Sequence, residues 1–343
     1  MDRTHFYVAA CGTGDDAGIY TIDIEDGRYR KLAFLAYRGA SYLCYSPDGK
    51  FVYLANEDAE LGGVASFAIE GETLRLVNQI VSPGNRCCHV TVSNDGRYLY
   101  AANYGKGQLQ EYELNSETGE IIGMTKLVQH VGKGINPARQ EKAHVHSCYF
   151  TPDNKYLISI DLGLDAIDAY PWQAGKGIDE AGVRRSSIEP AGSGPRHLVW
   201  SKANGDIAYL LNELLSTITV LHYSDGCFTQ LQTVDMLPPT LRMYSKASAI
   251  RLSPDGRFLY GSNRGYDTIA GYRIGDDGLL SPFGLWFCGG KGPRDFNFIP
   301  GGKLFCGCEN SNDAYIFDFD ETTGALWPDG NVIPLMPRPI CII

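Results

Sequence analysis

The feature that most constrains this chain is a short motif that returns six times. SPDGKFVYLANE begins at Ser46, SNDGRYLYAANY at Ser93, TPDNKYLISIDL at Thr151, SKANGDIAYLLNE at Ser201, SPDGRFLYGSNR at Ser253 and IPGGKLFCGCEN at Ile299. A spacing of roughly 50 residues suits a four-stranded propeller blade better than a helix pair or a leucine-rich repeat. Each copy has the same grammar. An apolar run such as ASYLCY or AHVHSCYF leads into the turn. In S-P-D-G the proline presets φ, the aspartate caps backbone and the glycine accepts positive φ. A second run (FVYLAN, RFLYGSN), a third (GVASFAI, TIAGYRI) and a more variable fourth follow. These lengths and turn signals predict antiparallel sheet throughout, with no long amphipathic helix.

Two fragments are left over. HFYVAACG near the N-terminus reads as a second strand with no first, and PRPICII at residues 337–343 as a first strand with no second. Joined, they make a seventh blade and protect edges that would otherwise invite aggregation. The expected fold is all-β: a seven-bladed β-propeller of four-stranded antiparallel blades, closed by the C-terminal inner strand pairing with the N-terminal strands. Residues 1–343 are expected to form a single domain. Residues 115–142, the longest interruption, are expected to be a long loop over one face.

Composition narrows the partners. The net charge of −10 repels phosphate backbones and anionic lipid, so neither nucleic acid nor membrane is an expected partner. No apolar run reaches the roughly 18 residues of a membrane span. MDRTHFYVAA is too short and too polar for a signal peptide. The ten cysteines lack zinc-site spacing, and Cys44, Cys148 and Cys306 lie in strand-like runs, so they are expected to be reduced, buried hydrophobes. A cytoplasmic location is the expectation that follows. Oligomeric state is not legible.

Hairpin topology then locates a site. Each S-P-D-G turn joins first and second strands at one face, so the start of every first strand and the end of every second strand meet at the other. His144, His146, Arg196, His197 and Arg294 stand at or near the starts of first strands. Glu57, Asp161, Glu213, Arg264 and Glu309 stand after second strands. The residue five before each turn is Ser41, Cys88, His146, Arg196, Ser248 and Arg294 in successive copies. Charge at a repeated inner-strand position is costly without a partner or ligand. Structural ion pairing explains it as readily as a site. His144 and His146 alternate on one strand and are expected to point the same way, but no third metal ligand is identifiable, so no metal or cofactor is expected. Asp295 is expected to neutralise Arg294. Neither a G-x-S-x-G elbow nor a phosphate-cradling loop is present.

The chain also resembles the seven-bladed propeller lactonases, a family that includes bacterial 6-phosphogluconolactonases and the fungal carboxy-muconate lactonizing enzyme. ARQEKAHVHSCYFTPD (138–153), DLGLDAIDAYPW (161–172), GSGPRHLVW (192–200), LNELLSTITV (211–220), SPDGRFLYGSNRGYDTIAGY (253–272), GPRDFNFIPGGK (292–303) and PRPICII carry the resemblance. It implies a catalytic set of His146, Arg196, Glu213 and Arg264, and hydrolysis of 6-phosphoglucono-1,5-lactone within sugar metabolism. Arg294, His144 and His197 are the expected substrate contacts, with Arg294 matched to a phosphate. Arg251 departs from the family, where relatives often carry histidine, and is expected to be peripheral. A muconate-type cycloisomerase would want the same arginines. A non-enzymatic interaction scaffold would tolerate alanine at the charged positions.

Overall fold

The computed structural model describes residues 5–25, 28–81, 86–238, 240–241, 245–334 and 336–343; the first four residues of the polar N-terminal stretch lie outside it. No α-helix occurs among the described residues. The strands form seven antiparallel sheets, the architecture of a seven-bladed β-propeller. In chain order the inner strands of the first six are Ala40–Tyr45, Cys87–Val92, Val145–Phe150, Pro195–Trp200, Lys246–Leu252 and Pro293–Ile299. The seventh sheet runs Pro339–Ile342, His5–Ala10, Gly18–Glu25, Arg28–Ala36. Its inner strand is thus the chain's end, antiparallel to the first strand with Val8 opposite Ile342. The two orphan fragments pair as the repeat grammar requires.

Two expectations need correction. Residues 115–142 are not one loop, because Ile121–Gln129 is the outer strand of the second sheet. Its alternation of exposed and half-buried residues is the pattern of a strand packed on one face only. The third sheet has five strands, not four. Its outer position is split between Gly177–Ile178 and Arg184–Ser187, both paired to Ala166–Gln173.

The repeated turn has a hub that the motif alone does not reveal. Ser253 Oγ donates to Asp255 Oδ1 at 2.6 Å and accepts from the Phe258 N–H at 3.0 Å. Asp255 Oδ1 also accepts from Arg257 N, and Gly256 sits at φ +76°, where a Cβ would be strained. Ser46, Ser93 and Thr151 repeat the arrangement. One short side chain thereby ties the turn to the strand leaving it.

Two compact units divide the chain: Arg38–Arg196 with Tyr223–Thr229, and Met1–Tyr37 with His197–His222 and Gln230–Ile343. In the first, Phe51, Tyr53, Leu99, Tyr112 and Leu114 interlock the first two sheets. In the second, Tyr209, Leu259 and Tyr272 join the fourth sheet to the fifth, and Phe6, Tyr20, Phe305 and Ile316 join the sixth to the seventh. The third residue of several second strands is a fully buried tyrosine: Tyr7, Tyr53, Tyr100, Tyr209 and Tyr260. Tyr209 and Tyr260 donate to carbonyls of the next sheet, Gly278 and Gly324, so each satisfies its phenol while bridging sheets.

Candidate active site

The position five residues before the turn is a β-bulge. Ladder register skips Ser41, Cys88, His146 and Arg294 in their inner strands, and Ile340 in the closing strand. Ser248 lies in a corresponding irregularity between Ala247 and Ile250. A bulge residue leaves the in–out alternation and has its side chain re-aimed. This is why the position tolerates a histidine or an arginine where a regular strand would need packing. The bulge also withdraws a carbonyl from the ladder, and neighbouring side chains satisfy it. Cys88 Sγ donates to His146 O at 3.2 Å, Ser147 Oγ to Arg196 O at 2.7 Å, and Ser248 Oγ to Arg294 O at 2.6 Å.

In the unit Arg38–Arg196 with Tyr223–Thr229, His146 is buried and its ring meets Tyr104 edge-on at 5.5 Å. His144 stacks on the same tyrosine ring, at 4.3 Å and nearly parallel to it. The two histidines do not alternate on one strand as expected. His144 precedes Val145–Phe150, and the bulge at His146 breaks the phase. His144 is also occupied by protein: Nδ1 lies 2.9 Å from Tyr104 O and Nε2 3.1 Å from Glu141 Oε1. The His144 hydrogen bond holds the Glu141 carboxyl below its usual range. Arg139 Nη2 donates to the Tyr104 hydroxyl at 3.2 Å. Arg196 is buried, and its backbone is joined to the residue after His146 by the Ser147 bond.

Asp161 does not belong with the residues that follow second strands. It ends Tyr156–Asp161 at the place Asn56 holds in the first sheet. It accepts from the His144 and Leu164 N–H groups, and its Oδ2 lies 2.9 Å from His130 Nδ1. The next residue, Leu162, is the equivalent of Glu57. The N–H groups of Glu57, Leu162 and Glu309 donate to the entering chain at Gly39, His144 and Gly292. In this register the equivalent positions, each following Asn56, Asn103, Asp161, Asn212, Asn263 or Cys308, are Glu57, Tyr104, Leu162, Glu213, Arg264 and Glu309. Tyr104 does not stand out where histidine, carboxylate and guanidinium groups mark the candidates. Its place directly after Asn103, matching Glu213 after Asn212, was the available signal.

In the other unit, charged groups converge. Arg264 Nη2 lies 3.1 Å from Glu213 Oε2 and donates to Ala247 O at 3.1 Å, while its Nη1 lies 3.6 Å from Glu309 Oε1. Glu309 is also approached by Arg294 at 4.0 Å and by Arg338 at 3.5 Å. Glu213 is 3% exposed, so its pairing offsets a desolvation cost that a lone carboxylate would not survive. His197 is buried as well. Asp295 does not serve Arg294 as its expected counter-ion. It takes two hydrogen bonds from Arg251 Nη2, at 2.8 and 3.0 Å, and one from the Ile342 N–H at 2.8 Å. Arg251 is therefore a clamp partner for the closing strand. Arg338, unforeseen as a site residue, sits at φ +45°. Such a conformation costs about 1–3 kcal/mol, more than the ~0–1 kcal/mol a half-exposed ion pair returns.

The cysteines are all free thiols. Cys227 is exposed, unlike the buried residue expected, because it starts an outer strand. Cys308 Sγ lies 3.8 Å from Cys288 Sγ, and hydrogen bonds from Cys306 and Cys308 favour the Cys288 thiolate. Among the described residues no group of three His, Cys, Asp or Glu side chains has metal-holding geometry.

Residues 5–343 match the family described as "Lactonase, 7-bladed beta-propeller". A Staphylococcus saprophyticus protein of uncharacterised function is 33% identical over 93% of this chain and 92% of its own length. Among solved structures, a Bacteroides fragilis protein named provisionally as a 6-phosphogluconolactonase is 30% identical with a TM-score of 0.90, covering 99% of this chain and 98% of that one. A periplasmic gluconolactonase from Pseudomonas aeruginosa is 26% identical, also with a TM-score of 0.90, over 99% and 98% of the two chains.

Proposed function

The chain belongs to the seven-bladed β-propeller lactonase family, and from that premise we propose that it hydrolyses 6-phosphoglucono-1,5-lactone to 6-phosphogluconate by direct attack of water. The observation that most supports this is the inner-strand position five residues before the turn. Where other sheets carry Ser41, Cys88 or Ser248, it carries His146, Arg196 and Arg294. The names of the solved relatives point to gluconolactone chemistry.

A six-membered lactone is an activated ester, so a positioned base and oxyanion donors suffice. In this reading His146 takes a proton from water as the water oxygen bonds to the lactone carbonyl carbon. The carbonyl π electrons move onto oxygen, where Arg196 and Arg264 stabilise the developing charge. When that electron pair returns, the bond from carbon to the ring oxygen breaks. The ring oxygen takes the proton from the imidazolium, and the open acid leaves. Glu213, 3.1 Å from Arg264, orients that guanidinium and is the other candidate base. Arg294, His144 and His197 are the proposed substrate contacts.

His146→Ala is expected to lower kcat about 10²–10⁴-fold, and Arg196→Ala about 10²–10³-fold. Rates must be corrected for spontaneous ring opening. Unchanged kcat/KM in both folded variants rejects the assignment, and turnover of a carboxylated muconate in its place moves the chain to cycloisomerase chemistry.

A further inference from the structure

Resting on the hydrolase reading above, we propose that Arg338, with Arg294 beside it, forms the subsite for a phosphomonoester on the substrate and sets the preference for phosphorylated over unphosphorylated sugar lactones. Three guanidinium groups, from Arg264, Arg294 and Arg338, gather around the single carboxylate of Glu309 at 3.6, 4.0 and 3.5 Å. With Glu213 counted, the cluster holds three positive and two negative groups, a local excess of one positive charge in a chain of net charge −10. The contacts to Glu309 are longer than the roughly 2.7–2.9 Å of a charge-assisted hydrogen bond.

The cluster is graded toward solvent: side-chain exposure rises from 13% at Arg264 to 18% at Arg294 and 53% at Arg338. Arg338 is nonetheless held firmly. It lies between Pro337 and Pro339, its N–H donates to Asn312 Oδ1 at 3.0 Å, and its carbonyl accepts from the Cys11 N–H at 3.0 Å. Its left-handed backbone is strain that the ion pair to Glu309 does not repay, which marks the residue for something other than stability. A phosphomonoester carries roughly −1.5 to −2 charges near pH 7, which more than offsets the cluster's excess of one positive charge. The guanidinium fork matches two of its oxygens at once.

The test compares 6-phosphogluconate with gluconate as ligands by calorimetry, and the two parent lactones as substrates, for wild type, Arg338→Ala and Arg338→Lys. The expected result is a fall of roughly 10–100-fold in the 6-phosphogluconate to gluconate affinity ratio in Arg338→Ala, as befits loss of charged hydrogen bonds. Partial recovery is expected in Arg338→Lys, with the same shift in the kcat/KM ratio of the lactones. An unchanged ratio in a variant that unfolds at the wild-type temperature overturns the proposal, as does an equal loss for both ligands. If the wild type opens neither lactone, the hydrolase reading fails while the binding ratio still decides the subsite.

Discussion

Asp295 illustrates how much a single buried side chain organises. It stands next to Arg294 in sequence, yet the bulge at Arg294 turns consecutive side chains into different environments, and Asp295 reaches Arg251 and the Ile342 N–H instead. Because Asp295 is 3% exposed, Asp295→Ala leaves a partly buried guanidinium without its carboxylate and is expected to cost about 3 kcal/mol, measurable as a lower urea midpoint at constant m-value. The same local logic governs the proposed catalytic residues. His146 and Arg294 were legible as odd residues at a repeated position. That the position is a bulge was not, because register depends on the partner strand. If His146 and Glu213 act on one chemical step, losses in a His146→Ala, Glu213→Gln double-mutant cycle are strongly non-additive; multiplicative losses in kcat/KM would separate their roles.

At the level of the element, the turn between first and second strands carries both a stability and a pH prediction. Burial alone would raise the Asp255 carboxyl, but hydrogen bonds from Ser253 and Arg257 outweigh it and leave the group below its usual range. Asp48 and Asp153 are lowered in the same way. A carboxyl depressed in the folded state contributes stability that is complete above the unfolded pKa, about 3.9, and is lost as pH falls through the lower folded value. Melting temperature is therefore expected to drop in acid below about pH 4, with a shallower drop in Asp255→Asn. These aspartates are well solvated, so each contribution is small. Ser253→Ala acts at any pH: it strands the buried Phe258 N–H, at about 1–3 kcal/mol, readable by denaturant titration.

For the whole molecule, the decisive element is the strand Pro339–Ile342 against His5–Ala10. Deleting residues 339–343 exposes a fully apolar edge, Phe6 through Ala10 being buried, and is expected to give a protein that self-associates in light scattering. Sheet number, strand order and terminal pairing were legible in the sequence because they rest on local turn chemistry and on two-residue alternation, which neighbouring residues settle among themselves. The outer strand Ile121–Gln129 and the split edge of the third sheet were not, since an edge strand is half solvated and carries a weak pattern. The candidate site was read from the sequence as residue types near the starts of inner strands and the ends of second strands. Which groups pair within it was decided only by the tertiary structure. Tyr104 against both histidines, Arg251 rather than Arg294 on Asp295, and Arg338 at Glu309 all join residues distant in the chain, whose distances depend on bulges and sheet packing that no local pattern encodes.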